Sequence, residues 1–198
     1  MPRPKRPSAN QTRSNILIAA KEQFLAKGFD GASISRIAQS AGVNTNLIFH
    51  HFVNKKNLWV NVKGEMLRSQ NTVLKSDLSS ARAYFKSLLN YRFNLYDQNP
   101  DLVRLVQWQQ LTEKESELIG RDSSSPSHSL NEIKHLQEVG QIKRNIPAEH
   151  ILLFIVFSTH APFMQEVIPL TQEQKEDYKM MLLEMCYSQF TVTGNDDD

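Results

Sequence analysis

The chain has 198 residues, and 40% of them are hydrophobic, which is enough to bury a sizeable core. Glycine and proline are few, so the composition favours a packed helical protein over a disordered one. The longest apolar run, residues 151–157, is far shorter than the roughly 20 residues that a membrane-spanning helix needs. No apolar stretch follows the charged start Met1–Arg6, and the single cysteine, Cys186, can form no internal disulfide. These features predict a cytoplasmic protein without a signal peptide.

The net charge of +2 hides an uneven distribution along the chain. Residues 1–64 contain ten Lys or Arg against two acidic residues, so this part carries +8 and the remainder carries −6. A basic segment joined to an acidic one is the layout expected when only the basic part meets phosphate groups. The alternative is a basic face that is simply solvated, and charge alone does not decide between the two.

Four helices are predicted over residues 12–66, because apolar residues recur there at helical spacing. Lys27 and Gly28 end the first helix, and Gly42 forms a tight turn after the second because it can adopt positive φ. The first eleven residues are polar and contain proline, so we expect a mobile basic arm. The predicted N-caps of the first three helices are Thr12, Ser33 and Asn44, and the fourth helix follows Asn54.

The rest of the chain is also predicted to be helical, which makes the fold class all-α. Asn99 followed by Pro100 is a strong helix start, and Thr171 and Gln174 have the spacing of a capping box. Residues 119–127, which contain Gly, Pro and several Ser, form the clearest loop. The predicted helices of this part span residues 78–97, 100–118, 127–140, 147–167 and 171–190.

Two short helices joined by a glycine turn, in a basic segment, suggest a helix-turn-helix. In such a unit the second helix projects polar side chains into the major groove of duplex DNA while its other side packs on the first helix. Val43, Ile48 and Phe52 are predicted to face inward. The side chains predicted to lie nearer the outside are Asn44, Thr45, Asn46, Leu47, Phe49 and His50.

The full run of residues from 10 to 62 strongly resembles the TetR family of bacterial repressors. The segments that carry the resemblance are Thr12–Ala20, Phe24, Gly28–Phe29, Ser33–Val43 and Phe49–Leu58. A looser similarity extends to Asn99–Leu105 and Gly140–Lys143. The resemblance implies a homodimer with two DNA-reading heads, each a three-helix unit with the helix-turn-helix, and a helical-bundle body that encloses an effector pocket.

The resemblance also implies which residues meet DNA. Thr45, Asn46 and Leu47 hold the groove-facing positions at the start of the recognition helix. The other implied contacts, to bases or to the DNA backbone, are Arg13, Ser33, Ser35, Arg36, Asn44, Phe49, His50, His51 and Lys55.

Three residues depart from the family pattern. Asn46 stands where a small residue or glycine is usual, and its amide can pair with adenine through two hydrogen bonds. Leu47 replaces a threonine, so it can touch a thymine methyl group but cannot donate a hydrogen bond. Phe49 replaces a tyrosine and lacks the hydroxyl that reaches the DNA backbone. Phosphate affinity is therefore expected to depend more on His50, Lys55 and the N-terminal arm, although a plain surface role for the histidines and an inward-packed Phe49 remain alternatives.

Helix 147–167 is apolar on more than one side, and helix 171–190 carries Met and aromatic residues. The resemblance implies that these last two helices, residues 147–190, form the homodimer interface. A small apolar or aromatic effector is expected in the body, with Trp59 and Met66 as possible coupling positions to the head. The candidate pocket residues, for each of which ordinary core packing is the alternative, are Met66, Tyr84, Tyr91, Gln107, Trp108, Phe157, His160 and Phe163.

The predicted function is a DNA-binding transcriptional regulator, a repressor released from a palindromic operator by a small-molecule effector in the bacterial cytosol. No cofactor, metal or membrane is expected, and an enzyme is disfavoured because Cys186 has no histidine near it in the sequence. A DNA-bound activator or architectural protein would share the same head and is the alternative. The predicted segments are a basic arm at 1–11, a DNA-binding domain at 12–54, an effector and dimer domain at 55–191 and a disordered acidic tail at 192–198.

Overall fold

A computed structural model describes residues 8–68, 74–111, 126–164 and 168–192 of the chain. Within these residues the fold is all-α, and the one extended pairing is an isolated antiparallel bridge between Ile142 and Thr191. No helix in the described ranges is long and apolar enough to cross a membrane. The helices are α1 (Ala9–Gly31), α2 (Ile34–Ala41), α3 (Thr45–Phe52), α4 (Lys55–Arg68), α5 (Ala81–Asp97), α6 (Pro100–Gln110), α7 (Pro126–Glu138), α8 (Ala148–His160) and α9 (Gln172–Phe190).

The chain divides into two compact units. The first, here called the head, contains α1 to α4 and the part of α6 from Arg104 onward. The second, here called the body, contains α5, the first turn of α6, and α7 to α9. The predicted boundary between the DNA-binding domain and the effector domain, after residue 54, would place α4 and the end of α6 outside the head. The predicted domain limits stay a prediction.

Helix α1 begins earlier than predicted. Its N-cap is Ser8, whose hydroxyl accepts a hydrogen bond from the Gln11 backbone N–H, so the predicted start at Thr12 is wrong. Both residues are good N-caps, and the sequence pattern alone does not distinguish them. Residues 1–7 of the predicted arm lie outside the described residues.

An aromatic cluster forms the core of the head. The ring of Phe24 lies 4.9 Å from that of Trp59, and Phe29 lies 5.7 Å from Trp59, both measured between ring centroids in edge-on geometry. Trp59 is fully buried, so it has an ordinary packing role in the core of the head. Its predicted role in coupling the effector site to the head stays a prediction. The cluster joins α1 to α4, and edge-on aromatic pairs add stability beyond the apolar area that they bury.

Gly28 lets α1 change direction where it meets α6. Gly28 has φ 67° and ψ −173°, a combination that essentially only glycine adopts, and α1 continues past it to Gly31. A Cβ atom at Gly28 would lie 2.7 Å from Cε3 of Trp108. The Trp108 indole N–H donates a hydrogen bond of 3.1 Å to the Leu25 carbonyl, which fixes the ring against this kink.

Helix α5 packs against both α8 and α9 in the body, and α7 packs against α8. Ser80 caps α5, and Thr171 and Gln174 form the predicted capping box at the start of α9. The predicted helix 147–167 is shorter in the structure, because α8 ends at His160 and a 3-10 turn follows at Ala161–Phe163, where Pro162 interrupts the helix. Pro126, predicted as loop, begins α7, one residue before the predicted helix start at 127. The remaining parts of these predictions, at 112–125, 165–167 and 193–198, lie outside the described residues.

Substituting Gly28 with Ala should destabilise the head by about 2–5 kcal/mol, because the backbone conformation disfavours a side chain and the new Cβ overlaps Trp108. Gly42→Ala is the matched control, since Gly42 has the same φ of 67° and a Cβ there would meet nothing within 4 Å. The control should lose only about 1–2 kcal/mol from backbone strain. Thermal unfolding measures both, and equal losses would show that the Trp108 contact is unimportant.

Candidate nucleic-acid interface

Helices α2 and α3 are joined by a turn with well-formed caps at both ends. Gly42 has φ 67° and ψ 32° and ends α2, and the Val43 backbone N–H donates to the Ala38 carbonyl at 3.0 Å. Asn44 begins α3, because its side-chain oxygen accepts a hydrogen bond of 2.8 Å from the Leu47 backbone N–H. The turn therefore sets the direction of α3 through local hydrogen bonds.

One side of α3 is buried and the other is open. Ile48 is 0% exposed and Phe52 is 1% exposed, and these two residues hold α3 against α2 and α4. Asn46, Phe49 and His50 are exposed on the other side. Thr45, Leu47, His51 and the predicted inward residue Val43 are half-buried.

The exposed side of α2 adds polar residues beside α3. Ser35 and Arg36 are exposed, whereas Ile37 and Ala38 are buried on the inner face of α2. Ser33 is the N-cap of α2, and its hydroxyl accepts a 3.4 Å hydrogen bond from the Arg36 backbone N–H. The N-terminal turns of α2 and α3 present backbone N–H groups and a positive dipole end, which suits contact with phosphate.

Two predicted phosphate-binding cations are held by the head itself. The Arg13 guanidinium donates a 2.7 Å hydrogen bond to Asn61, lies 3.6 Å from a Glu65 carboxylate oxygen, and covers the Phe52 ring at 5.2 Å. Arg13 therefore fastens α1 to α4 and supports the end of α3. Its role in DNA contact stays a prediction.

Lys55 is held in a similar way. Its ammonium group donates a 3.2 Å hydrogen bond to the Asp30 carbonyl and lies 5.0 Å from the centre of the Phe29 ring. These contacts position Lys55 at the start of α4. Lys55 thus combines an observed packing role with its predicted phosphate role.

A strained turn separates α3 from α4. Val53 has φ 63° and ψ −50°, and the Asn54 backbone N–H donates to the Phe52 carbonyl at 2.6 Å, which is a γ-turn of the rare positive-φ type. A β-branched residue is strained in this conformation. The turn allows the Asn54 side chain to cap α4 by accepting a 2.7 Å hydrogen bond from the Asn57 backbone N–H.

The structure distributes the candidate effector residues over both units. Trp108 and Gln107 belong to the head, where Trp108 packs on α1. Met66 is also in the head and lines a groove of about 330 Å³ between α1 and α4. Phe157 is 53% exposed on α8, which a buried pocket residue would not be.

The remaining candidates are buried in the body, and they lie on α5, α8 and the 3-10 turn: Tyr84, Tyr91, His160 and Phe163. The Tyr84 hydroxyl donates a 3.2 Å hydrogen bond to the Ser129 carbonyl, and burial raises the pKa of Tyr84. Arg92 is not among the predicted site residues, and it donates a hydrogen bond from α5 to Thr159 on α8. In the sequence, Arg92 is a single arginine among apolar residues of a predicted helix, and this pattern does not indicate a bond to another helix.

Two short capped helices with a glycine turn, a buried side and a polar outer side, define a helix-turn-helix protein. The sequence matches the family profile "Bacterial regulatory proteins, tetR family" over residues 16–61. It also matches "Tetracyclin repressor-like, C-terminal domain" over residues 88–185. The chain belongs to the TetR family.

Individual relatives agree with this assignment. The chain is 30% identical to the HTH-type transcriptional repressor NicS of Pseudomonas putida over 50% of its length, and this match spans only 48% of NicS. It is 28% identical to the HTH-type transcriptional repressor SCO4008 of Streptomyces coelicolor over 73% of this chain and 74% of that one. These relatives are transcriptional regulators rather than enzymes.

Solved structures show the same fold. A structure described as a putative tetR family transcription regulator from Shewanella sp. PV-4 covers 92% of this chain and 99% of its own, with a TM-score of 0.70 and 20% identity. TylP, a tetR regulator from Streptomyces fradiae, covers 94% of this chain and 89% of its own, with a TM-score of 0.65 and 15% identity. The predicted all-α fold with a helix-turn-helix and a helical bundle is confirmed.

Replacing Val53 with Gly should stabilise the head by about 1 kcal/mol, because relief of backbone strain exceeds the extra entropy of glycine in the unfolded chain. The measurement is the midpoint of thermal unfolding. Val53→Ala removes the branched side chain but keeps Cβ, so it should recover less than the glycine variant. A lower midpoint for Val53→Gly than for the unmodified protein would show that the turn is not strained.

Proposed function

We propose that this protein is a transcriptional repressor that binds a palindromic operator as a homodimer and releases it when a small-molecule effector binds. The observation that carries the proposal is the orientation of α3. With Ile48 and Phe52 buried, the opposite side of α3 presents Asn46, Phe49 and His50 to solvent. This is the arrangement in which a recognition helix enters the major groove.

Base recognition is proposed for the first turn of α3. Asn46 is exposed and forms no hydrogen bond within the described part of the chain, so its amide can accept from N6 and donate to N7 of adenine. Leu47 can contact a thymine methyl group, and Thr45 can donate or accept at a base edge. Asn44 uses its side-chain oxygen as the N-cap, which makes it a positioning residue more than a base reader.

Phosphate contacts are proposed on both sides of α3. Exposed Ser35 and Arg36 on α2, and His50 near the end of α3, lie where they can reach the DNA backbone. The excess of +8 over residues 1–64 adds long-range attraction to duplex DNA. Such contacts fix the position of the head but carry no sequence information.

The dimer is proposed to form through α8 and α9. Leu153 and Phe157 lie one turn apart on α8, and each is 53% exposed. Helix α9 adds a row of exposed large side chains: Met180, Met181, Met185 and Tyr187. An exposed apolar surface on two adjacent helices needs a partner, and a second copy of the same surface provides one under two-fold symmetry.

The effector acts by selection between dimer states. Operator binding requires the two recognition helices about 34–36 Å apart, one turn of DNA. An effector that binds better to a dimer with another spacing lowers the population able to bind DNA. A tenfold loss of operator affinity needs only about 1.4 kcal/mol of such differential binding. We place the protein in the bacterial cytosol, where its operator lies.

Two substitutions in the head should have different effects on DNA binding. Asn46→Ala should relax base preference, with loss of about 1–3 kcal/mol at one operator position and little change in unfolding temperature. Lys55→Ala should weaken binding to all sequences and reduce the slope of log affinity against log salt by about one. Fluorescence anisotropy over a salt series measures both effects.

Thermal unfolding serves as the control for Lys55→Ala, because this residue also packs on Phe29. A folded Lys55→Ala variant with unchanged affinity at every salt concentration would remove Lys55 from the interface. Unchanged base preference in Asn46→Ala would remove Asn46 from base recognition.

Introducing a charge at Phe157 should break the dimer. Phe157→Glu places a carboxylate on the apolar face of α8, and burying it unpaired against the partner costs several kcal/mol. Asn131→Glu is the matched control, since Asn131 is exposed on α7 and adds the same charge away from that face. Light scattering at micromolar concentration should give the mass of two chains for the control and one chain for Phe157→Glu. A one-chain mass for the unmodified protein would exclude the dimer.

A further inference from the structure

Arg92 on α5 occupies a half-buried position in the body. Its Nε donates a 2.6 Å hydrogen bond to Thr159 Oγ1 on α8, and its Nη2 donates to the Tyr96 hydroxyl at 3.0 Å and to the Val156 carbonyl at 3.2 Å. All three acceptors are neutral. The guanidinium also lies 5.5 Å from the centre of the Tyr96 ring.

The positive charge of Arg92 has no carboxylate partner within the described residues, and neither N–H of its Nη1 has an acceptor there. A guanidinium offers five N–H donors in a fixed fork, and the observed bonds use three. Removing a charge from water without an opposite charge is unfavourable, and neutral acceptors offset it only in part. The arrangement therefore leaves both charge and donor capacity for an anion.

His160 lies beside Arg92 and also lacks a partner on one side. The residue is 3% exposed, and its Nε2 is buried without a hydrogen-bond partner in the described part of the chain. Burial lowers the pKa of His160, a hydrogen bond to the Val103 backbone acts in the opposite sense, and the Arg92 charge lowers the pKa again. His160 is therefore neutral at pH 7, and Nε2 can take part in a hydrogen bond with a ligand.

Aromatic rings surround these two groups. Tyr96 connects them, because its hydroxyl accepts from Arg92 and its ring centroid lies 5.2 Å from that of His160. The Phe163 ring lies 5.7 Å from Tyr96 and 5.5 Å from Phe93. Two further cations lie over these rings, since Lys175 Nζ is 4.8 Å from the centre of Phe163 and Lys179 Nζ is 5.8 Å from the centre of Phe93. The surroundings of Arg92 thus combine planar aromatic surface with positive charge, which favours an anionic ligand with an aromatic ring.

We propose that the effector of this protein is an aromatic carboxylic acid whose carboxylate binds Nη1 of Arg92 and whose polar edge bonds to Nε2 of His160. This proposal rests on the effector-controlled repression proposed above and names the chemical class of that effector. The carboxylate supplies the charge that Arg92 lacks, and an arginine–carboxylate hydrogen bond is stronger than one to a neutral acceptor. Phe163, Tyr96 and Phe93 contact the ring.

The proposed binding site also lies next to α6. Val103, whose backbone bonds to His160, lies in the first half of α6, and α6 continues to Trp108. A ligand that changes the position of His160 changes a direct neighbour of that helix.

The test uses the full-length protein with benzoate as the probe and benzamide as its uncharged analogue of similar shape. Calorimetry at fixed salt should show saturable benzoate binding in the millimolar range or tighter, and benzamide should bind at least about tenfold more weakly. Arg92→Gln should reduce benzoate affinity by about tenfold or more, and Arg92→Lys should retain part of it. Lys86→Gln, which removes one positive charge from an exposed position on the same helix, should bind benzoate like the unmodified protein.

Several outcomes would overturn the proposal. The proposal is wrong if benzoate does not bind, if benzoate and benzamide bind with equal affinity, or if Arg92→Gln leaves the benzoate affinity unchanged. If Arg92→Gln fails to fold, 3-hydroxybenzoate replaces benzoate as the probe, because its hydroxyl can donate to Nε2 of His160. Weakened 3-hydroxybenzoate binding in His160→Phe then supports the site, and unchanged binding rejects it. A dimer that dissociates in Arg92→Gln, together with no benzoate binding, would instead assign Arg92 to a carboxylate of the partner chain.

Operator binding distinguishes this proposal from the function on which it rests. Benzoate binding that depends on Arg92 but leaves operator affinity unchanged would preserve the anion site and reject its role as an effector site. A protein that binds no operator but still binds benzoate through Arg92 would reject the repressor function and leave the site intact.

Discussion

The burial of Ile48 and Phe52 decides which side chains α3 presents to solvent. Side chains on a helix are fixed relative to one another, so packing these two residues against α2 and α4 determines the direction of every other residue on α3. A rotation of α3 by one residue position, about 100°, would carry Asn46 toward the core, where its amide would lack partners. The buried apolar residues thus select the polar surface that we propose for DNA contact.

Two cations of the head support the orientation of α3 in addition to giving the head positive charge. Arg13 covers Phe52 and bonds to α4, and Lys55 covers Phe29 and bonds to the end of α1. A positive charge over a ring face contributes about 0.5–1 kcal/mol at exposed sites, and these two contacts fasten α1, α3 and α4 together. Some side chains that give the head its positive charge therefore also hold α3 in place. Exposed cations such as Arg36 can contribute charge without that packing role.

Local patterns predicted most of the helices, because the spacing of apolar residues and the capping residues act within a few positions of each other. Asn44 and the Thr171 capping box are as predicted. Contacts distant in sequence were not predictable: Trp108 bonds to Leu25, 83 positions away, so a residue that looked like a pocket candidate packs on the head instead. Phe157 was placed in the pocket because it is aromatic, yet the packing of α8 leaves it exposed. The DNA-contact residues rest on the family resemblance, and their individual roles stay predictions.

The body shows polar features that packing alone does not require. A half-buried charge whose bonds all go to neutral groups is only partly compensated, and its remaining N–H donors could hold a carboxylate. His160 adds a buried nitrogen without a partner in the described residues, and such a group also costs stability. The proposed aromatic carboxylic acid would supply a negative charge to Arg92 and a hydrogen bond to His160 Nε2, the two interactions that these residues lack within the described part of the chain.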